Sequence, residues 1–237
     1  SLFKHIKHPI DSDNPSFQPR NLTHSDDAYH NSTKAYATEW WYFDTTFNQD
    51  YCLQFSIHVY EILSTGFAQI QCHIYKNNKK IISESTITPL SRIQLSTEKP
   101  IIKLDDQLIM FTKNSSIDNS MAHQIRYKAS NYSFDLSFQG TTQGWKGTTN
   151  AGNWAVILPK ALVTGTISIE DETQTVLGNG YHDHNWNVSF SAGMNFGWLW
   201  GKTIIEEYTL TWANIFNTWS KQNPLLVINK DYSGYDN

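Results

Sequence analysis

A period of two runs through this chain. Leu53, Phe55, Ile57 and Val59 alternate with Gln54, Ser56, His58 and Tyr60, and Ala68, Ile70, Cys72 and Ile74 alternate with Gln69, Gln71, His73 and Tyr75. Successive side chains of a strand point to opposite faces, so each run buries one face and wets the other. A loop over residues 62–66 makes the two runs a hairpin. Their apolar sets share a face only when Val59 lies opposite Ala68, Ile57 opposite Ile70 and Phe55 opposite Cys72. That register sends Cys52 to the polar face and Cys72 to the apolar one, so no disulfide joins them. The polar face, with Gln54, Ser56, His58, Gln69, Gln71 and His73, is expected toward solvent.

The alternation recurs along most of the sequence. Residues 39–44 read as an aromatic strand before the hairpin, and further strands are expected over 80–88, 107–112, 124–129, 132–139, 154–158 and 162–169. Turn residues separate them at Asn77-Asn78, Asp105-Asp106, 114–119 and the glycine-rich 140–152. No window carries a helical period through three turns. About eight or nine antiparallel strands are enough to close an up-and-down barrel. Beyond them, 176–181, 196–205, 208–216 and 225–228 supply about four more, too few for a second closed barrel. The expected architecture is therefore all-β and antiparallel. It comprises an extended, proline-marked arm over 1–37, a first barrel over 38–173, and a junction motif with the start of a second, incomplete barrel over 174–237.

Composition narrows the function. A net charge of -4 without runs of like charge gives no footprint for nucleic acid. No apolar run approaches the ~20 residues that span a bilayer. The chain reads as soluble, with peripheral membrane association left open; it would be periplasmic or secreted if a signal peptide had been removed, and cytoplasmic otherwise. Charged residues make up 17% and aromatics 14%, with nine Trp, a composition suited to an aromatic-lined β structure.

The densest chemistry lies in Gly178-Asn179-Gly180-Tyr181-His182-Asp183-His184-Asn185-Trp186-Asn187. As a strand it sends Tyr181, Asp183 and Asn185 to one face and His182, His184 and Trp186 to the other, unless a bulge intervenes. Asp183 or Glu39 is the candidate acid, and His184 the group that orients or shuttles a proton. Trp40, Trp41, Trp186, Trp198 and Trp200 could face a developing cation, and apolar walls would keep an acid protonated near neutrality. His182 and His184 share a strand face, as in metal sites, but no third ligand stands nearby in sequence, and His5, His8, His24 and His30 of the arm lack a ligand spacing. No metal and no cofactor is expected. Gly-x-Ser-x-Gly, Cys-x-x-Cys and phosphate-loop patterns are missing, so hydrolase and nucleotide readings have no support.

Glu39-Trp40-Trp41-Tyr42-Phe43, followed roughly 140 residues later by Gly180-Tyr181-His182-Asp183-His184-Asn185-Trp186, resembles the paired signature of a lipocalin-like family. That family contains carotenoid 1,2-hydratases (hydroxyneurosporene synthases), AttH-like proteins, kievitone hydratase and fungal Diels-Alderases. The resemblance implies two lipocalin-like barrels in tandem, with the motif near their junction and an elongated apolar ligand in a pocket between them. In the hydratase branch, the motif's His and Trp act with a Tyr-x-Asp on a later strand. His184 and Trp186 match the first pair, while Trp212 and Asn214 stand where the Tyr and Asp would be. An amide cannot deliver a proton as a carboxylic acid does, so Asp183, Glu39, Glu206 or Glu207 would have to substitute.

Three functions remain on this footing. The first is an enzyme that hydrates, cyclises or isomerises an isoprenoid or polyketide-like substrate, with Trp186, Trp40, Trp41, Tyr181, Trp198, Trp200, Trp212 and Asn214 lining its site. The second is a non-catalytic carrier of a hydrophobic ligand, and the third a motif that only locks two barrels together.

Overall fold

The computed structural model describes residues 20–32, 36–48, 50–62, 65–113, 121–149, 152–189, 198–216 and 222–236. The first nineteen residues of the expected arm, with His5 and His8, lie outside them. The strands are β1 (Arg20–Asn21), β2 (Tyr36–Phe47), β3 (Tyr51–Ile62), β4 (Thr65–Lys76), β5 (Lys79–Pro89), β6 (Ile93–Leu95), β7 (Ile101–Leu104), β8 (Gln107–Lys113) and β9 (Ala122–Lys128). There follow β10 (Tyr132–Gly140), β11 (Trp145–Thr149), β12 (Gly152–Ile169), β13 (Glu172–Ser189), β14 (Trp198–Ile205), β15 (Tyr208–Phe216), β16 (Gln222–Lys230) and β17 (Tyr235–Asp236).

Eleven strands form one antiparallel path in the order β5-β4-β3-β2-β13-β12-β10-β9-β8-β7-β6. Its two ends are consecutive in the chain, joined through the 3-10 turn Leu90–Arg92, so the sheet curls back on itself as a nearly closed barrel. The hairpin register is the one the alternation demands: Val59 pairs with Ala68, Ile57 with Ile70 and Phe55 with Cys72. Cys52 and Cys72 are both free thiols, half-buried and buried respectively. Asn77 and Asn78 close the β4–β5 hairpin, both at positive φ, as a two-residue turn that matches strand twist requires.

Trp41, Phe43, Leu53, Phe55, Ile57, Val59, Ile70, Leu136 and Phe138 are all buried in one continuous core. Two long strands run where the alternation predicts shorter pieces. Pro159 broke the apparent pattern of β12, yet the strand runs through it. Register shifts between Val156 and Leu158 and between Leu158 and Ala161 set extra β12 residues against β13. At such bulges proline sacrifices no ladder hydrogen bond.

The second long strand corrects the expected domain boundary. β13 carries the whole motif and is paired on both sides within the barrel, with β12 and β2, so the junction placed from residue 174 belongs to the first barrel as far as Ser189. Gly178 is needed here, because a Cβ would meet the Thr46 carbonyl oxygen at 2.1 Å. A separate four-stranded sheet, β14-β15-β16-β17, packs against the barrel's outer face through a second core of Trp145, Trp154, Val156, Tyr181, Ala213 and Val227.

The arm is also not simply extended. Residues His24–Asp27 form a 3-10 turn, with Asp26 and Asp27 buried and His24 exposed. Thr23 secures the turn by donating its N–H and Oγ1–H to Asp26 Oδ2, at 2.6 and 2.7 Å.

The barrel's polar outer face is less wet than expected. Ser56 is buried, and His58 stacks on Trp40, which stacks in turn on Trp198 of the second sheet. Burial holds the His58 imidazole down to about 4. Below pH ~6.5 the unfolded chain takes up a proton there that the folded chain refuses, so stability is lost as pH falls from ~6.5 toward 4. Chemical denaturation of His58→Gln is expected to show a smaller loss between pH 7 and pH 4 than the parent, by roughly 2–3 kcal/mol.

Candidate active site

β2 and β13 lie side by side with His184 opposite Trp41, His182 opposite Phe43, Asp183 opposite Tyr42 and Tyr181 opposite Asp44. Directly paired residues point to the same side of a sheet. His182, His184, Glu39, Trp41 and Phe43 therefore face the barrel interior, whereas Tyr181, Asp183, Tyr42 and Asp44 face out toward the second sheet. The extra residue of the motif comes later, where Asn187 takes φ 55° and the pairing shifts between Asn185 and Val188. The division across 181–186 is the one the period of two predicts.

The interior side is a network of acids and imidazoles. The 3-10 turn inserts Asp27, which is 0% exposed, between His123 of β9 at 2.6 Å and His182 at 3.2 Å. His182 Nδ1 faces the Tyr42 carbonyl at 3.0 Å, and His184 Nδ1 faces the Asp26 carbonyl at 2.9 Å. His184 Nε2 lies 2.9 Å from Glu39 Oε1, which also accepts from the His30 N–H at 2.9 Å. Aromatic rings fix the imidazoles: His182 stacks on Phe43, His184 on Trp41 and His30 on Trp186. The Trp41 indole donates to the Asp27 carbonyl at 3.0 Å. Two sets of potential metal ligands result, Asp27 with His123 and His182, and Glu39 with His30 and His184.

Electrostatics follow from this packing. Burial pushes the Asp27 carboxyl up, but the adjacent His182 and His123 outweigh it and hold it well below the usual carboxylate range. Glu39 is lowered in the same way, its burial overcome by hydrogen bonds from His184 and His30. Burial opposes a charge on His184, yet Glu39 raises its pKa above the ordinary imidazole value. His123 is lowered, chiefly by burial.

The outward side is different in kind. Asp183 accepts from the Tyr181 hydroxyl at 2.8 Å and the Asn185 amide at 3.1 Å. Burial pushes its carboxyl up to about 6, against the pull of Tyr181. Tyr181 stacks on Trp200 of the second sheet, whose ring also meets Tyr42 edge-on. Lys202 pairs with Asp44 across the same seam, and the Trp145 indole donates to Asn229 Oδ1 at 3.2 Å.

The residues picked from sequence thus fall in separate places. Glu39, His184, Trp41 and Trp186 are brought together inside the barrel. Asp183, Tyr181 and Trp200 meet at the seam, while Trp40 and Trp198 stack beside it. Trp212 and Asn214 of β15 lie on the far face of the second sheet, where Trp212 is 43% exposed and covers Gly201. Trp41 and Trp186 thus lie inside the barrel, and Trp212 on the outer face of the second sheet. Asp26, Asp27, His123 and the contact made by His30 join the site without a motif in the sequence that marks them. The only local signal was the Thr23-x-x-Asp26 cap, which marks a turn start without saying where the turn inserts.

No family model and no curated protein matches this chain. Solved structures do. An AttH-like protein from Nitrosomonas europaea superposes with TM-score 0.65 at 14% identity, over 88% of this chain and 69% of that one. CghA superposes with TM-score 0.52 at 9% identity, over 84% of this chain and 59% of its own. The fold is lipocalin-like. Kievitone hydratase from Nectria haematococca gives TM-score 0.48 at 11% identity, over 94% of this chain and 72% of that one. The fold expected from the paired motifs is thus the one shared with the AttH-like structure.

If Asp27 holds the turn inside the lipocalin-like barrel, truncating it strands two buried imidazoles. Asp27→Ala is expected to lose about 3–5 kcal/mol in urea unfolding, with near-ultraviolet circular dichroism reporting loosened aromatic packing around Trp41.

Proposed function

We propose that this chain is an enzyme that transfers a proton from Asp183 to an apolar small molecule at the aromatic seam between barrel and second sheet. One observation carries this reading. Asp183 is the motif's only carboxyl turned out of the barrel core, and it is held there by Asn185 and by Tyr181, whose ring stacks on Trp200. Glu39, the other candidate acid, is occupied by His30 and His184 on the opposite side of the sheet.

The chemistry is the addition of the Asp183 proton to an alkene, which leaves a carbocation that the faces of Trp200 and Tyr42 stabilise. Water then adds and returns a proton to the carboxylate, giving hydration; attack by a second alkene forms a ring and moves the cation, which then loses a proton to the carboxylate, giving cyclisation; and direct loss of a neighbouring proton to the carboxylate gives isomerisation. Asn214, on the far face of the second sheet, takes no part. An isoprenoid or polyketide-like substrate fits the paired-motif resemblance, and CghA, of the same lipocalin-like fold, has been solved with Sch210972.

A carrier is the second reading, and the far face of the second sheet favours it. Leu199, Ile205, Trp212 and Leu226 are exposed there on one apolar surface. Incubation with linear isoprenoids in heavy-oxygen water, followed by mass spectrometry, separates the two. The enzyme reading expects a labelled, cyclised or isomerised product that falls at least ~100-fold in a folded Asp183→Asn variant. A ligand retained unchanged, or full activity in Asp183→Asn, overturns it.

A further inference from the structure

The interior cluster has no part in the proton transfer assigned to Asp183, and half of it is arranged to hold a cation. His30 Nδ1, a Glu39 carboxylate oxygen and His184 Nε2 all lie within 4.8 Å of one another. The Asp26 carbonyl faces His184 Nδ1 at 2.9 Å, so that nitrogen carries hydrogen. In the neutral ring, the lone pair of Nε2 then points at Glu39 Oε1, 2.9 Å away. Two lone pairs at that distance repel unless a proton or a metal ion lies between them. A backbone carbonyl on one imidazole nitrogen is also what orients histidines whose other nitrogen binds metal.

Glu39 adds an independent sign. The residue is 1% exposed, and its second oxygen, Oε2, has no hydrogen-bond partner among the described residues. A buried carboxylate oxygen without a donor is costly, and a coordinated ion removes the cost. The ligands are already held in place, since His30 stacks on Trp186 at 4.0 Å and His184 on Trp41 at 4.5 Å. The His30 side chain is 22% exposed, which leaves a way in from solvent.

The neighbouring set of Asp27, His123 and His182 has the same composition but a weaker case. His123 Nε2 and Asp27 Oδ2 are 2.6 Å apart, the separation of a charge-assisted hydrogen bond with its proton in place. All three residues are 0% exposed, so that set is sealed.

We propose that His30, Glu39 and His184 form a binding site for a divalent first-row transition ion, zinc above all. Two imidazoles and a carboxylate are a ligand set zinc accepts, and they supply three of its four usual positions. The ion ties the N-terminal arm to β2 and β13, immediately behind the strand that presents Asp183. Of the motif's two histidines only His184 joins this set, and its two partners come from β2 and the arm.

The test uses untagged protein, stripped with a chelator and dialysed, then titrated with zinc by calorimetry and with cobalt(II), whose visible absorption reports the coordination geometry. The expected result is one tightly bound equivalent and a rise in Tm with zinc. Both are expected to be lost in His30→Ala, whose ligand is partly exposed and can be removed while circular dichroism still reports the barrel. His24→Ala, a control in the same arm, is expected to bind as the parent does. Glu39→Gln, if it folds, is expected to weaken binding at least ~10-fold. No stoichiometric binding at micromolar zinc, binding unchanged in His30→Ala, or an equal loss in His24→Ala each overturns the site and leaves Glu39 and His184 as a proton-bridged pair.

Discussion

The buried carboxylate of Asp27 constrains everything around it. A charge removed from water costs several kcal/mol unless it is paired and hydrogen-bonded, and this one is met by imidazoles from two strands far apart in the chain. Satisfying it requires β9 and β13 to present His123 and His182 to the same point and the arm to arrive there as a tight turn. The Trp41 indole, bonded to the carbonyl of the same residue, adds β2 to the set. Arm, barrel wall and motif strand are thus fixed together by one group, and a loose turn would leave two imidazoles and a tryptophan donor without partners.

Once the turn is seated, the geometry of a strand separates two chemistries on one short segment. Alternate residues of β13 point inward to acids and imidazoles, or outward to a tyrosine, an acid and the rings of the second sheet. The inner set is charge-paired and rigid. The outer set holds a carboxyl whose surroundings disfavour its charge, because few cations or donors are near enough to repay desolvation. The bulges of β12 sit against the same stretch of β13. They let the barrel sheet bend there without changing which way the motif side chains point, since the extra residues lie on the partner strand.

The second sheet supplies what the barrel wall lacks. Among the described residues the barrel interior holds an apolar core around the acid and imidazole cluster. The outer wall around Tyr42 and Tyr181, by contrast, gains a cover of Trp200, Ala213 and Val227, and with it a low-dielectric seam. The opposite face of the same sheet keeps its large apolar side chains exposed. That asymmetry distinguishes the seam, which is buried and packed, from a surface that presents only apolar area.

Much of this was legible in the sequence, for a physical reason. Period-two alternation fixes which side chains share a face and, where one face must be buried, fixes register as well; Val59 opposite Ala68 follows from that alone. The opposed faces of Asp183 and His184 follow likewise, as does the turn at Asn77-Asn78. Strand continuity was harder to read, because Pro159 interrupts the pattern of β12 while a bulge carries the strand through it. The meeting of Asp27, His30 and Glu39 with His123, His182 and His184 was decided only by tertiary structure. Those residues come from a short turn and from strands well separated in the chain, with no period linking them. Local sequence specifies faces and turns, whereas the convergence of distant charges depends on how the sheet closes and where the arm enters it.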